Sequence, residues 1–221
     1  ELATIKDNKA LWNLPKTRRF GYRNLHKINR YGLFLRSDLV LKLKKNYKKE
    51  IGVKPLVKRL TKNKSFCSLI VGNGQNILFE KYAKDFSYNQ PQTIMSITKM
   101  FANLFVGELL KNKKINLNKN VSYYLPKIGS GYAKAKVQDI LNMNVVNAYT
   151  EDYTKAYSSS FMHEPVGGWR LPKSGQIKLS QEQYLNTIKN IKNKDLKNNS
   201  EYALYKSANT DVIGLIIEKI S

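Results

Sequence analysis

The chain has 221 residues, of which 42% are hydrophobic, enough for one large domain or two small ones with a buried core. It contains no run approaching the roughly 20 apolar residues that span a bilayer, so no transmembrane segment is predicted. The net charge of +23 would suit a nucleic acid or an anionic membrane surface. The lysines are spread along the chain, however, without the interleaved aromatic residues of RNA-binding segments, so we expect no nucleic-acid partner.

Cysteine and histidine are scarce, which limits the possible chemistry. Cys67 is the single cysteine, so an intrachain disulfide and a cysteine-based metal site are both excluded. His26 and His163 are far apart, and neither accompanies a serine in a G-x-S-x-G setting. We therefore expect neither a Ser-His-Asp triad nor a metal or organic cofactor.

Residues 1–64 form a basic N-terminal segment, which we separate from residues 65–221. The stretch 33–43, LFLRSDLVLKL, is apolar enough to pack on a body, whereas residues 44–49 are expected to be solvated. The segment is predicted to be partly helical or meandering.

Residues 66–82 are typical of a β-hairpin. A short apolar run, FCSLIV, precedes Gly72, Asn73 and Gly74, which favour a turn because they tolerate positive φ. Residues 76–82, NILFEKY, then alternate in character. The first strand is nearly all apolar, so we expect both of its faces to be covered. Since two strands alone do not make a stable sheet, further strands are expected from elsewhere.

Helical spacing begins at Ser96 and continues to about Leu109. A second short amphipathic helix is predicted over residues 137–143. Ser180 and Gln183 fit a capping box that opens a helix through residue 191. Thr210 or Asp211 is expected to cap a last helix that runs to the end of the sequence.

The segment Ser96-Ile97-Thr98-Lys99 carries the chemical argument. On a helix, Ser96 and Lys99 lie one turn apart on the same face, with the hydroxyl near the positive end of the helix dipole. A serine hydroxyl is a poor nucleophile without an adjacent base, and a lysine serves as that base only when it is neutral. The neighbours Met100 and Phe101 predict that part of the surroundings of Lys99 is dry. Alone, the spacing is weak, because a capping serine and a solvated lysine match it equally well.

Tyr205 supplies the second part of the argument, since a tyrosine beside a Ser-Lys pair can relay a proton between nucleophile and leaving group. Tyr205 is also one of 14 tyrosines, and an ordinary structural role is the alternative.

Four segments in the same order resemble the serine β-lactamase and penicillin-binding-protein superfamily, and most closely its 6-aminohexanoate-dimer hydrolases and related esterases. That branch has M-S-x-[ST]-K, an E-D-Y loop, a G-G-W step and Y-x-S-x-N-T-D-V. The matching residues are Met95 to Lys99, Glu151 to Tyr153, Gly167 to Trp169, and Tyr205 to Val212. The resemblance covers about residues 66–221. It implies an α/β fold of the β-lactamase type, a sheet with flanking helices plus a mostly helical subdomain, apparently without the C-terminal part.

The resemblance also implies roles for individual residues. Ser96 would be the acylated nucleophile, Lys99 its base, and Tyr205 the proton donor to the leaving group. The backbone N–H of Ser96 would be one arm of the oxyanion hole. Substrate-binding positions are implied for a further set: Tyr153, Glu164, Trp169, Ser207 and Asn209. Glu164 would face the amine end of a substrate, or be an exposed loop acid. Ser207 occupies the position of the asparagine in the Y-x-N motif of β-lactamases, which puts the role of Asn209 in doubt.

A third superfamily motif, K-T-G or a variant on a later strand, is not found by Ser221. We therefore expect either a fragment or processed product, or a second polypeptide that supplies the C-terminal strands. Because relatives are often exported, a periplasmic or otherwise exported location is expected, with the cytoplasm as the alternative.

The function expected is hydrolysis of a small ester or linear amide through an acyl-enzyme on Ser96. Two alternatives are β-lactamase or penicillin-binding activity and a catalytically silent relative that binds a partner or a cell-wall component. A basic nucleic-acid-binding protein is a weaker third.

Overall fold

A computed structural model describes residues 14–28, 38–169, 172, 174–175 and 177–221. The chain divides into two units, Glu1–Thr93 and Ile94–Ser221. The boundary expected from composition, between residues 64 and 65, falls inside the first unit. Backbone pairing explains the difference, since Lys44 and Lys45 join the sheet that the hairpin forms.

The first unit contains a three-stranded sheet and three helices. The helices are α1 (Arg18–Ile28), α2 (Lys49–Val53) and α3 (Pro55–Lys62), and the strands are β1 (Lys44–Lys45), β2 (Ser68–Asn73) and β3 (Asn76–Tyr82). The strand order is β1-β3-β2, with β2 antiparallel and β1 parallel to β3. Gly74 adopts φ +55° in the turn between β2 and β3, a conformation that glycine reaches without steric cost. The predicted hairpin is therefore confirmed, and of the two forms expected for the N-terminal segment the described residues show the partly helical one.

The expectation that both faces of β2 are covered is wrong. Exposed and half-buried side chains alternate along the strand, and Ile70 is 54% exposed. Within the part of the chain described, β2 is an edge strand with one open face. The packing expected for residues 33–43 is also not found in the described part of that stretch, because residues 38–43 are exposed. Residues 33–37 lie outside the described part. The side chains of residues 44–49 are exposed, as predicted.

A charged cluster ties α1 to the loop that follows β3. Asp85 accepts hydrogen bonds from Arg19 Nη2 at 2.5 Å and from Arg23 Nη1 at 2.8 Å. These two guanidinium groups hold the pKa of the Asp85 carboxyl well below its usual range. Arg19 also donates to the Cys67 sulfur at 3.8 Å, so the start of the hairpin joins the same cluster.

The second unit is helical and carries the hydrophobic core. A 3₁₀ helix, Met95–Lys99, leads directly into α4 (Met100–Lys111). The other helices are α5 (Val121–Tyr124), α6 (Ser130–Ala133), α7 (Val137–Leu141), α8 (Ser159–His163), α9 (Gln181–Asn186) and α10 (Ser207–Ile220). The core gathers around α10, whose buried members are Ala208, Val212, Ile213 and Ile216.

Two of the predicted helix boundaries need correction. The capping box of Ser180 and Gln183 is present, but α9 ends at Asn186 rather than near residue 191. The last helix begins at Ser207 and not at Thr210 or Asp211. Its first backbone N–H, from Ser207, is satisfied by the Glu151 carboxylate, a cap that local sequence does not reveal.

Helix α4 packs on the core by one side only. Val106 and Leu109 are buried, whereas the opposite side exposes Met100, Phe101, Leu104 and Phe105, and Ile97 of the preceding 3₁₀ helix is exposed as well. The dry surroundings expected for Lys99 are therefore found only in part, because Met100 is 63% exposed. No helix among the described residues combines the length and apolar character needed to cross a membrane.

Candidate active site

Ser96, Lys99 and Tyr205 lie in direct contact. Lys99 Nζ donates to Ser96 Oγ at 3.2 Å, and Tyr205 OH donates to the same oxygen at 2.7 Å. Ser96 is exposed, whereas Lys99 is half-buried. The three side chains predicted to be catalytic thus meet at the Ser96 oxygen, which an incoming substrate can reach.

The 3₁₀ helix, rather than an α-helix, places the serine. Met95, directly before Ser96, adopts φ +47°, a left-handed conformation that is rare for a residue with a side chain. Thr98 Oγ1 donates to the Met95 carbonyl at 2.5 Å and closes the turn. Such strain persists only where the surrounding structure enforces it, and it is frequent at functional sites.

The phenol of Tyr205 is more acidic than an ordinary tyrosine. Burial raises its pKa, but hydrogen bonds with Ser96, Lys99 and Ser207 outweigh burial, so that the net shift is downward. Lys99 Nζ lies 5.5 Å from the centre of the Tyr205 ring and favours the phenolate further. A phenol with a lowered pKa is suited to donate a proton and take it back within one catalytic cycle.

A cleft of about 250 Å³ opens beside these three groups. Apart from them it is lined mostly by apolar side chains: Met100, Ala102, Ile140, Leu141, Met143 and Ile213, with Asn103 and Thr210 as polar members. This volume suits a small acyl group. A larger cavity of about 320 Å³ lies beside α9, but its lining includes no candidate nucleophile in contact with a base.

Two of the predicted substrate-binding residues, Tyr153 and Ser207, contact each other. Tyr153 OH lies 3.2 Å from Ser207 Oγ and also donates to the Glu151 carboxylate. Glu151 in turn accepts from the Ser207 hydroxyl at 2.7 Å and from its backbone N–H at 2.8 Å. Burial and the nearby carboxylate raise the pKa of Tyr153, which therefore stays protonated as a hydrogen-bond donor.

The other three predicted substrate-binding residues are placed differently. Asn209 is fully buried, where it accepts from Tyr132 OH at 2.9 Å and donates to the Met143 sulfur. Glu164 is also buried, at the end of α8. Trp169 is 38% exposed, and its backbone N–H donates to the Glu164 carbonyl. The structure therefore places Asn209 and Glu164 in the body of the unit and leaves Trp169 partly accessible.

His163 lies in a buried polar cluster with Tyr149, Gln181 and Asp211. Its Nδ1 is 3.2 Å from Tyr149 OH, and its Nε2 is 3.0 Å from Gln181 and 3.5 Å from Asp211. Burial lowers the pKa of His163 to about 4, so the ring is neutral at pH 7. The described residues contain no group of three metal-ligating side chains. His26 has no described side chain.

Sequence reasoning missed the polar residues that support Tyr205. Lys206 is buried and donates three hydrogen bonds to Asn147 and Tyr149. Nothing in the sequence marks Lys206 as the buried one among the chain's 39 lysines and arginines. Glu151 did stand in the E-D-Y segment, but its cap on α10 depends on the tertiary fold.

Comparison with known proteins finds similarity to hydrolases of one kind. A curated 6-aminohexanoate-dimer hydrolase from Paenarthrobacter ureafaciens is 29% identical over 155 residues, which are 70% of this chain and 38% of that protein. No protein-family model matches. A structure from Bacillus anthracis assigned as a 6-aminohexanoate-dimer hydrolase superposes with a TM-score of 0.74 at 15% identity, covering 95% of this chain and 56% of that one. FmtA from Staphylococcus aureus superposes with a TM-score of 0.42 at 20% identity, covering 81% of this chain and 47% of that one.

The predicted resemblance to 6-aminohexanoate-dimer hydrolases is thereby confirmed, and so is the mixed α/β fold, as part of the fold of the Bacillus anthracis structure. The chain spans about half the length of the Bacillus anthracis structure and less of the curated relative.

Proposed function

We propose that this chain carries the nucleophile of a serine hydrolase that cleaves a small ester or linear amide. The observation that supports this most directly is the shared contact of Lys99 Nζ and Tyr205 OH with Ser96 Oγ. The sequence relative named as a 6-aminohexanoate-dimer hydrolase supports an amide or ester as the bond cleaved.

Acylation requires Lys99 as the neutral amine. Its Nζ takes the proton of the Ser96 hydroxyl while Oγ attacks the substrate carbonyl. Collapse of the tetrahedral adduct breaks the bond to the leaving group, which receives a proton from Tyr205 OH. The Lys99 ammonium then returns its proton to the phenolate, so both residues regain their starting states.

Deacylation repeats these proton movements with water. The neutral amine of Lys99 takes a proton from a water molecule that attacks the acyl carbon, and the resulting ammonium supplies the proton with which Ser96 leaves. Ser96 Oγ leaves with a proton and the carboxylic acid is released. No cofactor enters the balance.

We also propose that a second polypeptide supplies a segment that packs against α4. The exposed apolar row of that helix and of the 3₁₀ helix before it (Ile97, Met100, Phe101, Leu104 and Phe105) is the kind of surface that packs against a sheet or helix. This chain matches only 56% of the B. anthracis structure. A sheet-forming segment with an apolar face fits both observations.

The test is intact-mass spectrometry after exposure to a fluorophosphonate, with every polypeptide in the sample weighed. We expect one adduct on the wild type, none on Ser96→Ala, and an unchanged adduct on Ser68→Ala, which removes another exposed serine. Turnover of a p-nitrophenyl ester, measured beside nitrocefin, then distinguishes ester and linear-amide chemistry from β-lactam chemistry. A folded wild type that forms no adduct, alone or with a second polypeptide, would disprove the proposal.

A further inference from the structure

Lys206 is a buried cation whose hydrogen bonds all run to neutral groups. Its side chain is 7% exposed. Nζ donates to the Asn147 carbonyl at 3.0 Å, to Asn147 Oδ1 at 2.7 Å and to the Tyr149 carbonyl at 2.8 Å. These three acceptors match the three N–H bonds of an ammonium group, so its donors are fully used.

The acceptors belong to a loop segment that is itself fixed. Asn147 Nδ2 donates to the Gly131 carbonyl at 3.1 Å, and the Tyr149 N–H donates to Asn147 Oδ1 at 3.2 Å. The loop therefore presents its oxygens to Lys206 as a preformed site rather than by chance contact. Burial lowers the pKa of Lys206 to about 8, and the attraction of Glu151 opposes part of that shift.

The hydrogen bonds of Lys206 also affect the residues next to it in the chain, which include Tyr205. Leu204 N–H donates to the Met143 carbonyl at 2.7 Å, and Ser207 is held by Glu151. Lys206 is extended, with φ −144° and ψ 124°, so successive side chains point to opposite sides. Lys206 points into the unit, whereas Tyr205 points to Ser96.

We propose that Lys206 is a positioning residue that holds the Tyr205 phenol against Ser96 Oγ by locking the segment between Leu204 and Ser207 to the Asn147–Tyr149 loop. The inference rests on the proposed function, in which Tyr205 is a catalytic proton donor. Lys206 touches none of the reacting atoms and acts through the backbone that it shares with Tyr205.

The first test needs no catalytic activity. Tyrosine labelled with ¹³C at Cζ reports the ionisation of each phenol, and Tyr205→Phe assigns the Tyr205 signal. We expect the Tyr205 pKa to lie below its ordinary value of 10 in the wild type and to move back towards 10 in Lys206→Met. The matched control Lys192→Met removes an exposed lysine of the same unit and should leave the signal unchanged.

The second test asks whether Lys206 acts through Tyr205. For p-nitrophenyl ester hydrolysis, Lys206→Met should lower kcat by about 10- to 100-fold, with little change in KM, because a displaced catalytic group loses its alignment. In a Tyr205→Phe background the same substitution should have almost no further effect. A role limited to general stability would lower activity in both backgrounds.

The outcomes separate the two proposals. An unchanged Tyr205 pKa in a Lys206→Met variant that still folds, as judged by circular dichroism, overturns the positioning role. If Lys206→Met does not fold, Lys206→Gln, which keeps two donors, takes its place in both tests. A wild type with no esterase activity, in which Lys206→Met nevertheless shifts the Tyr205 pKa, would disprove the proposed function and keep the positioning inference.

Discussion

The Ser96 oxygen accepts hydrogen bonds from two side chains of different acidity. Lys99 approaches from one turn further along the same chain segment, whereas Tyr205 comes from 109 residues away. A local pair of this kind can be predicted from spacing alone, but the phenol depends on the fold. The sequence supported Tyr205 only through the order of four segments, and its placement at 2.7 Å from the serine is a tertiary result.

Replacing Tyr205 by phenylalanine tests the phenol as the proton donor. We expect kcat for ester hydrolysis to fall by about 10²- to 10⁴-fold, the usual contribution of a positioned general acid. Stability should change little, because Tyr205 is 44% exposed. Tyr202→Phe removes the hydroxyl of another exposed tyrosine nearby and should keep full activity. Equal rates for the two variants would remove Tyr205 from the mechanism.

Lys206 predicts a pH dependence of stability. Its pKa is about 8 in the fold against 10.5 for an ordinary lysine. Between these two pKa values the unfolded chain binds more protons at this lysine than the folded chain does. The contribution of Lys206 to the unfolding free energy therefore rises with pH in this range, and it is lost again as the pH falls to 8. In urea denaturation from pH 7 to 9.5, the unfolding free energy of the wild type should rise relative to that of Lys206→Met, by at most about 1.4 kcal/mol per pH unit. A constant difference between the two proteins would contradict the buried ammonium.

At the scale of elements, the start of α10 is the feature that positions half of the site. Its first N–H and the Ser207 hydroxyl both bind Glu151, which stands 56 residues earlier in the chain. A carboxylate at a helix N-terminus also interacts favourably with the helix dipole. The helix therefore begins just after Tyr205.

Removing the Glu151 carboxylate should loosen this start. We expect Glu151→Ala to lower the unfolding free energy in urea by about 1–2 kcal/mol, the usual worth of a helix cap. The amides of Ser207 and Ala208 should exchange hydrogen faster, while those near Ile216 keep their protection. Glu201→Ala, which removes an exposed loop carboxylate, is the control and should be neutral. Unchanged exchange at Ser207 would show that the cap is not needed.

The same element shows where prediction from sequence stops. Periodicity located the hairpin, α4 and α7, and the capping box located the start of α9, because each signal is local. The start of α10 was misplaced because its cap is supplied across the fold. Strand β1 was not predicted either, since Lys44 and Lys45 pair with β3 through backbone groups and carry no apolar pattern. Asn209 was identified only through the motif, and its complete burial in the helical unit depends on the tertiary fold.

For the molecule as a whole, the exposed apolar row on α4 and the preceding 3₁₀ helix is one departure from an ordinary surface. It begins at Ile97, next to the nucleophile, and continues through Phe101 to Phe105, whereas a soluble chain usually keeps large apolar side chains scattered. An uncovered row of this kind should bind an apolar dye and favour association of the chain with itself.

We therefore expect the purified chain to enhance the fluorescence of anilinonaphthalene sulfonate and to sediment partly as oligomers. Replacing Phe101 and Leu104 together by serine should remove most of both effects, because these two side chains lie in the centre of the row. Tyr123→Ser, which removes an exposed aromatic side chain on α5, should keep them. If the double variant shows the same dye fluorescence and the same oligomers as the wild type, the apolar row is not exposed in solution. The segment proposed to cover it would then have no open surface to bind. If the effects disappear, adding a polypeptide that packs on α4 should suppress them in the wild type as well and raise the rate at which the fluorophosphonate labels Ser96.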